Sequence, residues 1–438
     1  MITSNFLVVQ IMNTAVNNAL LSTQAVRKLG AIETRMALFH GNLNGSTQGT
    51  QAIFFTANVS GEQFVTAAKY LYEHYAALQC TIRVIGEELW FYRSASFIDI
   101  PVRHLQLEAS ADIDTVISEC LDQPIDSNRA LWRAQLVSVG DSRQQVFLFS
   151  AHHAIIDANG MHDLANRFFQ ILSAIMTSEP LPDLQLIDFP LAVDELLQTN
   201  PPSAVAPVFA PRPHDEFCPI NYRRTGWQFV TLEQEQVVAL NKALQSDNIK
   251  LHSLISAALC QALHAQGVVA ANCNFGTAVS LRFLQDANPA YVNPLGCYMS
   301  IASTLLEVDD NLVNFARKYD RELMHKIFTS CLNKVETHYA DFAAATLKIA
   351  NLENFSQGAG ITNMGHVGIT ETYPGIEIND YLMLANRVSA NFSIVAHCYD
   401  FRGKQRIGLV YPKPCLADDT VARVAADLHN RLQSYGQR

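Results

Sequence analysis

Two adjacent histidines, His152 and His153, end the apolar stretch Phe147–Ala151, and Asp157 follows four residues after the second histidine. Imidazole titrates near neutrality and can accept a proton from an alcohol or an amine at physiological pH. Successive side chains of a strand point to opposite faces, so only one of the two rings can face a given cavity. The other ring must find a structural partner on the far side. The turn after this stretch is therefore the first candidate for catalysis.

The same residues also admit structural interpretations. Both rings could satisfy buried backbone carbonyls, although two histidines at the end of an apolar strand are costly to bury unless both are hydrogen-bonded. A metal site would recruit Asp157 and His162. Adjacent strand residues do not easily chelate one ion, and no Cys or Glu completes the set, so we predict no metal. Asp157 also fits the N-cap of a helix that starts near Ala158.

The segment around the histidines has the pattern of a strand, a turn and a helix. Trp132–Val139 and Gln145–Ala151 are predicted to form a strand pair. After Asp157, apolar residues recur at helical spacing to about Met176. Such a junction lies at the exposed end of a sheet, where ligand sites tend to occur. The other elements predicted before residue 200 are a strand at Gln51–Val59, a helix from Gly61 to about Leu78, strands at Thr81–Ile85 and Leu89–Tyr92, and a helix at Asp112–Leu121.

A proline-rich stretch divides the chain. Residues 201–219 hold six of the sixteen prolines and can continue neither a helix nor a central strand. We predict an N-terminal half (1–200), a linker (201–222) and a C-terminal half (223–438). The C-terminal half is predicted to contain strands at Gly226–Thr231, Asn272–Val279, Val367–Thr372, Leu384–Val388, Phe392–Tyr399 and Arg406–Tyr411, and helices at Leu232–Leu244, Leu251–Ala265, Asn311–Ser330, Val335–Asn351 and Asp418 to about Tyr435. Each half mixes helices and strands, which indicates an α/β or α+β fold with mixed sheets.

The composition excludes several functional classes. With 438 residues, 49% of them apolar and 16% charged, the chain has the makeup of a large, well-buried enzyme of two domains. The net charge of −10 and the lack of a basic block argue against nucleic-acid binding. The nine cysteines are scattered without a C-x-x-C pair, and the apolar residues 6–12 are too few to span a bilayer. We expect a cytoplasmic protein with reduced thiols and no integral membrane association.

Several well-known catalytic motifs are missing from the sequence. It contains no G-x-S-x-G elbow, P-loop, G-x-G-x-x-G fingerprint or H-E-x-x-H, so serine-hydrolase, NTPase, Rossmann and zincin functions lack their usual support. The lone Gly358-Ala359-Gly360 is predicted to be a loop.

The pattern H-H-x-x-x-D at His152–Asp157 resembles the H-H-x-x-x-D-G signature of an acyltransferase superfamily. This superfamily includes nonribosomal-peptide condensation domains, plant BAHD acyltransferases, wax ester synthases and mycobacterial polyketide-associated acyltransferases. Other segments resemble further family motifs in the family's order and together cover about residues 27–412: these are Arg27–Glu33, His74–Gln79, Leu131–Leu136, Ser280–Arg282 ("D-L-R"), Asn293–Tyr298 ("N-x-x-G-N-x") and Thr362–Gly365 ("S/T-N-x-G").

The resemblance implies two chloramphenicol-acetyltransferase-like halves in a V, with a tunnel at their junction. His153 would be the general base, and His152 would be buried and structural. Asp157 would point away from the substrate and pair with Arg282 of the second half. An arginine–carboxylate pair offers the bidentate geometry that suits this role.

The resemblance also implies the reaction, which is transfer of an acyl group from a thioester to a hydroxyl or amine acceptor. The thioester, an acyl-CoA or a phosphopantetheinyl carrier protein, would be a co-substrate, and we predict no permanently bound cofactor. Thr362 and Asn363 are candidates, by motif only, for oxyanion or substrate binding. We expect a monomeric, stand-alone enzyme that uses a small-molecule acceptor. If the donor is a carrier-protein thioester, the acyl carrier protein is a partner as well.

One residue departs from the signature. The family glycine after the aspartate is Ala158 here, and Gly160 follows two residues later. If that glycine needs a positive φ, alanine strains the turn, and if it serves close approach of the donor's arm, the methyl group narrows the tunnel. Two alternatives to an active enzyme therefore stay open. One is a catalytically degenerate relative that binds a carrier protein or another partner, and the other is an unrelated binding protein with two structural histidines.

Overall fold

The computed structural model describes residues 25–140, 142–198, 211–285, 292–334 and 338–438. Its strands are β1 (Ala25–Lys28), β2 (Gly49–Thr56), β3 (Cys80–Ile85), β4 (Glu88–Arg93), β5 (Val102–Leu107), β6 (Trp132–Val139), β7 (Gln144–Ala151), β8 (Arg224–Leu232), β9 (Asn272–Ser280), β10 (Met299–Glu307), β11 (Ala359–His366), β12 (Thr372–Tyr373), β13 (Ile376–Ala385), β14 (Val395–Phe401) and β15 (Lys404–Lys413). Its α-helices are α1 (Ala31–Asn42), α2 (Gly61–His74), α3 (Ile113–Asp122), α4 (Ala158–Thr177), α5 (Gln234–Asp247), α6 (Leu251–Ala265), α7 (Leu312–Lys326), α8 (Tyr339–Ile349) and α9 (Asp418–Gly436).

The N-terminal sheet has the strand order β12-β13-β2-β7-β6-β5. Its two central strands, β2 and β7, are almost entirely buried, which explains why β7 reads as a continuous apolar run. Helices α2 and α4 pack beside this sheet, where Phe64 lies against both Phe147 and Phe168. A small sheet of order β1-β4-β3 adjoins this half. The core of the N-terminal half thus fixes the strand that ends at the histidines.

The C-terminal sheet has the strand order β10-β9-β11-β14-β15-β8. β11 runs parallel to both of its neighbours, β9 and β14, whereas the other pairs of this sheet are antiparallel. The two halves therefore each contain a six-stranded mixed sheet. The predicted α/β class with two subdomains is confirmed.

One segment of the C-terminal half crosses to the N-terminal sheet. β13 pairs with β2 in antiparallel register, with Tyr381 opposite Ile53 and Leu384 opposite Thr50. The chain then returns to its own half at β14. This crossover joins the halves through backbone hydrogen bonds and brings the end of β13 to the same edge of the sheet as the end of β7, with β2 between them.

Several predicted elements were wrong in type or place. The predicted strand Val367–Thr372 lies mostly between β11 and β12, and Gly358-Ala359-Gly360 runs into β11 instead of forming a loop. β11 carries glycine and asparagine, which disfavour strands, and forms because the ladders of β9 and β14 hold it on both sides. The strand predicted at Leu384–Val388 overlaps β13 only at its last two residues, and α2 stops at His74 before a short 3-10 turn.

Other elements were not predicted. The sequence pattern missed β1, β5, β10 and α1. β10 illustrates the reason, since it buries Thr304 and exposes Ile301 and Leu305, so that its apolar residues do not mark its buried face. The strand pairs with β9 along its whole length. The predictions for residues 6–12, for residues 201–210 of the linker and for the start of the helix at 335–337 lie outside the described residues.

Candidate active site

The two histidines follow directly on β7. The N–H of His152 donates to the carbonyl of Leu131 at 2.8 Å, which keeps this point attached to the N-terminal sheet. A few residues later, Ile156 forms a parallel bridge with Gly296, whose N–H donates to the carbonyl of Ile155 at 2.8 Å. The turn between β7 and α4 is thus held by the N-terminal half at its start and by the C-terminal half at its end.

His152 is fully buried within the N-terminal half. Its Nδ1 accepts a hydrogen bond from the N–H of Ala154 at 3.0 Å, and its ring lies 4.5 Å from the ring of His40, centroid to centroid. Burial, with smaller contributions from His40 and His153, lowers the pKa of His152 well below its ordinary value. The ring is therefore neutral and bonds to its own turn.

His153 is half-buried and lines a cavity between the two halves. Its Nδ1 lies 3.7 Å from Sγ of Cys297, which stands at the second asparagine of the N-x-x-G-N-x pattern. Burial lowers the pKa of His153, and Arg387 acts in the same direction, whereas backbone carbonyls and the Asp157 carboxylate oppose the shift. The imidazole is consequently a neutral base at neutral pH.

The cavity has a volume of about 390 Å³ and is lined by residues of both sheets. That volume falls within the usual range of small-molecule sites. Much of the lining is apolar, and methionine is prominent in it. Methionine adapts its shape to irregular apolar ligands because it is unbranched and polarizable. The methionines of the lining are Met36, Met161, Met299, Met364 and Met383.

Asp157 and Arg282 form a largely buried ion pair across the junction of the halves. Nε of Arg282 lies 3.0 and 2.9 Å from the two carboxylate oxygens, and Nη2 lies 2.8 Å from Oδ1. Arg282 also donates to the carbonyls of Asn293 and Pro294. Asp157 is the N-cap of α4 as well, since its Oδ1 accepts from the N–H of Gly160 at 3.0 Å. One carboxylate therefore holds the turn, the helix and the segment of the second half together.

The structure requires a glycine at position 160 and not at position 158. Ala158 is the first residue of α4 and does not have a positive φ, so alanine strains nothing there. A Cβ added to Gly160 would lie 2.7 Å from the Pro294 carbonyl oxygen and 2.8 Å from Cγ1 of Ile156. Gly160 thus permits the close approach of α4 to the C-terminal half, while the methyl group of Ala158 lines the cavity.

Gly160→Ala is expected to lower the free energy of unfolding by about 1–3 kcal/mol, since the added methyl group overpacks a backbone contact between the halves. Ala158→Gly, two residues earlier on the same helix turn, is the matched control and should cost less than about 1 kcal/mol. Urea denaturation of both variants checks this. Wild-type stability of Gly160→Ala would show that the contact is not tight.

Thr362 and Asn363 lie on β11 and line the cavity. The side-chain oxygen of Asn363 accepts from the N–H of Gly365 at 3.0 Å, which fixes the amide group at the end of the strand. The amide nitrogen of Asn363 then remains as a donor. The structure therefore brings both motif residues to the same cavity as His153.

His162, which a metal site at the histidine pair would have recruited, lies on α4 with its ring centroid 5.4 Å from that of Tyr381. Among the described residues, no group of three or more His, Cys, Asp or Glu side chains is arranged to hold a metal ion. None of the helices in the described ranges is long and apolar enough to cross a membrane.

The chain superposes over most of its length on several solved structures. Polyketide synthase associated protein 5 from Mycobacterium tuberculosis matches with a TM-score of 0.66 and 15% identity, over 94% of this chain and 99% of the other. The first condensation domain of the calcium-dependent antibiotic synthetase matches with a TM-score of 0.66 and 12% identity, over 95% and 97%. This chain has the condensation-domain fold.

A variant of the starter condensation domain of rhizomide synthetase, solved in complex with C8-CoA, has the same fold, with a TM-score of 0.64 and 13% identity over 97% of this chain and 98% of that one. No protein-family profile and no curated protein matches the sequence. The fold that the resemblance implies is thus confirmed.

The cavity is also lined by polar residues that the sequence analysis missed. Thr47, Arg387 and His397 all line it. Arg387 and His397 each interrupt an otherwise apolar stretch, at LMLANRV and SIVAHCY, and this interruption is the signal that could have marked them. Nothing in the sequence marks Thr47, whose position depends on the crossover of β13.

Proposed function

We propose that this protein transfers an acyl group from a thioester to a hydroxyl or amine acceptor, with His153 as the general base. The observation that carries the proposal is the position of His153, a half-buried neutral imidazole that faces a largely apolar cavity between the two halves. A cavity of this kind can hold an acyl chain and an acceptor side by side. Holding both reactants in one site supplies much of the rate by proximity.

The steps follow from the chemistry of a neutral imidazole. His153 takes the proton of the acceptor O–H or N–H as the nucleophile attacks the thioester carbonyl carbon. The tetrahedral intermediate collapses with cleavage of the C–S bond, and the imidazolium returns the proton to the departing thiolate. The products are an ester or an amide and a free thiol, and no covalent acyl-enzyme is required.

Thr362 and Asn363 are the proposed donors to the oxyanion of the intermediate. Asn363 is favoured because its oxygen is held by Gly365, which leaves the amide N–H groups for a ligand in the cavity. A preorganised donor of this type is worth about 10²–10³-fold in kcat.

Asp157 and Arg282 are the proposed positioning residues. Asp157 follows His153 by four residues, and Arg282 belongs to the C-terminal half. Their ion pair fixes the turn that carries the base. His152 has a related role, because it ties the same turn to the N-terminal core through Ala154.

The donor is proposed to be an acyl-CoA or an acyl carrier protein. A domain of the same fold has been solved with C8-CoA, and the methionine-rich lining of this cavity suits an apolar acyl chain. The experiment is to incubate the protein with acyl-CoAs from acetyl to decanoyl, and with a loaded carrier protein, against panels of alcohols and amines. Acceptor-dependent release of free thiol supports the proposal. Donor binding without thiol release for every pair would instead support a protein that only binds a carrier or partner.

The activity should persist at pH values where an ordinary histidine is already protonated. Burial lowers the pKa of His153 from 6.5, and only the neutral ring can accept the acceptor's proton. With an alcohol acceptor, which does not itself titrate in this range, we therefore expect kcat/KM to be constant around neutral pH and to fall only below pH 6.5, as the pH drops through the lowered pKa. A pH–rate profile from pH 4.5 to 8 checks this. An acid limb centred above pH 6.5 would contradict the assignment of His153 as a buried base.

A further inference from the structure

Three polar atoms at the cavity have no hydrogen-bond partner within the described part of the chain. They are Oγ1 of Thr47, Nε of Arg387 and Nε2 of His397. Buried polar groups in folded proteins are nearly always hydrogen-bonded, and leaving one unsatisfied is unfavourable. All three atoms belong to residues that line a single cavity, where a ligand can supply the missing partners.

The charge of Arg387 identifies the kind of partner. Burial lowers its pKa to about 10, so the guanidinium is still charged at neutral pH. No carboxylate of the described residues forms an ion pair with it. Asp157, the acidic residue that also lines the cavity, is occupied by Arg282. A half-buried cation without an ion-pair partner favours an anionic ligand, because removing a charge from water without a counter-charge is costly.

The backbone of Thr47 gives a second, independent indication of a ligand site. It has a φ of +75°, which is a strained conformation for a β-branched residue. Its N–H donates to the carbonyl of Asn386 at 3.0 Å, and the N–H of Asn386 donates to the carbonyl of Gln48 at 3.0 Å. This backbone pairing holds the Thr47 hydroxyl next to the segment that carries Arg387, and strained residues held in this way cluster at ligand sites.

His397 completes the set of donors and acceptors. Its Nδ1 lies 3.2 Å from the carbonyl of Met383, which assigns the ring proton to Nδ1 and leaves a lone pair on Nε2. Burial lowers the pKa of His397 to about 3, with further lowering by Arg387 and His153, so the ring is neutral. The cavity therefore presents a cation and a hydroxyl for an anion, and a neutral acceptor for an O–H or N–H group.

We propose that Arg387 and Thr47 form a carboxylate subsite, so that the acyl acceptor is a hydroxy acid or an amino acid. Its carboxylate binds Arg387 while its hydroxyl or amine faces His153, and the carboxylate is unchanged by the reaction. The phosphates of a CoA or carrier donor are separated from the thioester by the length of the pantetheine arm. They cannot reach this subsite while the thioester carbonyl lies at His153. This inference rests on the proposed acyl transfer for the role of the bound acid, but binding itself can be tested without turnover.

The test is calorimetric titration of the whole protein, without any acyl donor, with matched acids and amides. The probes are 3-hydroxydecanoate against 3-hydroxydecanamide, and 2-aminodecanoate against 2-aminodecanamide. Wild-type protein should bind at least one acid about 30-fold or more tightly than its amide, as expected for a buried charge pair. The acid that binds more tightly tells a hydroxy-acid from an amino-acid acceptor.

Arg387→Gln should abolish the preference for the acid while leaving the affinity for the amide unchanged. Thr47→Val keeps the branched shape, removes only the hydroxyl, and should weaken acid binding about 5- to 10-fold, so that the subsite stays testable if Arg387→Gln does not fold. Equal binding of acid and amide by wild type, which is expected if Arg387 acts only on the oxyanion, would overturn the subsite. So would an unchanged preference in a folded Arg387→Gln. Acid binding without any acyl transfer would overturn the proposed reaction alone.

Discussion

Asp157→Ala is expected to lower the free energy of unfolding by about 3–5 kcal/mol, the usual effect of removing one partner of a buried ion pair. The variant leaves the Arg282 guanidinium without its counter-charge, with the carbonyls of Asn293 and Pro294 and the ring of Tyr298 as its neighbours. It also removes the N-cap of α4, because the N–H of Gly160 loses its acceptor. Urea denaturation monitored by circular dichroism measures the effect.

A double-mutant cycle separates the ion pair from the cap. Asp157→Ala, Arg282→Ala and the double variant should be strongly non-additive, whereas Asp157→Asn keeps an oxygen for Gly160 and loses only the charge. Glu73→Ala is the matched control, since its partner Lys69 is exposed and such pairs contribute about 0–1 kcal/mol. Additive effects of Asp157→Ala and Arg282→Ala would contradict the role assigned to the pair.

The residues nearest to the chemistry were predictable because their signals are local. The apolar run of β7 predicted a buried strand, and the alternation of strand side chains led us to predict different environments for His152 and His153, which both follow the last strand residue, Ala151. The structure puts His152 in the core and His153 at the cavity. The N-cap position of Asp157 was equally local, since it depends only on the start of α4.

The rest of the site depends on contacts between distant parts of the chain. Thr47 meets the segment of Arg387 only because β13 crosses to pair with β2, and no pattern within either segment predicts that crossover. β11 could not be predicted for the same reason. Its glycine and asparagine residues disfavour a strand, and the strand forms because β9 and β14 pair with it on both sides. The role of Gly160 was likewise hidden, since it comes from the approach of the Pro294 carbonyl and not from an unusual φ.

His153→Ala is expected to lower kcat/KM for acyl transfer by about 10²–10⁴-fold, the usual contribution of a positioned general base. Without the imidazole, the acceptor must lose its proton to water inside a largely apolar cavity. Binding of the acyl donor should change little, because the ring acts on the acceptor's proton. His153→Asn, which keeps a polar side chain but cannot take up the proton near neutral pH, should be impaired to a similar extent.

The most direct test of acyl transfer by His153 is the initial rate of acceptor-dependent thiol release, measured with the best donor and acceptor from the panel. It compares wild type with His153→Ala and with His104→Ala, a matched control in which an exposed histidine of β5 outside the cavity is replaced. Circular dichroism shows that each variant is folded. The predicted result is a rate that falls at least about 10²-fold in His153→Ala and is unchanged in His104→Ala. Full retention of turnover in folded His153→Ala would contradict the mechanism.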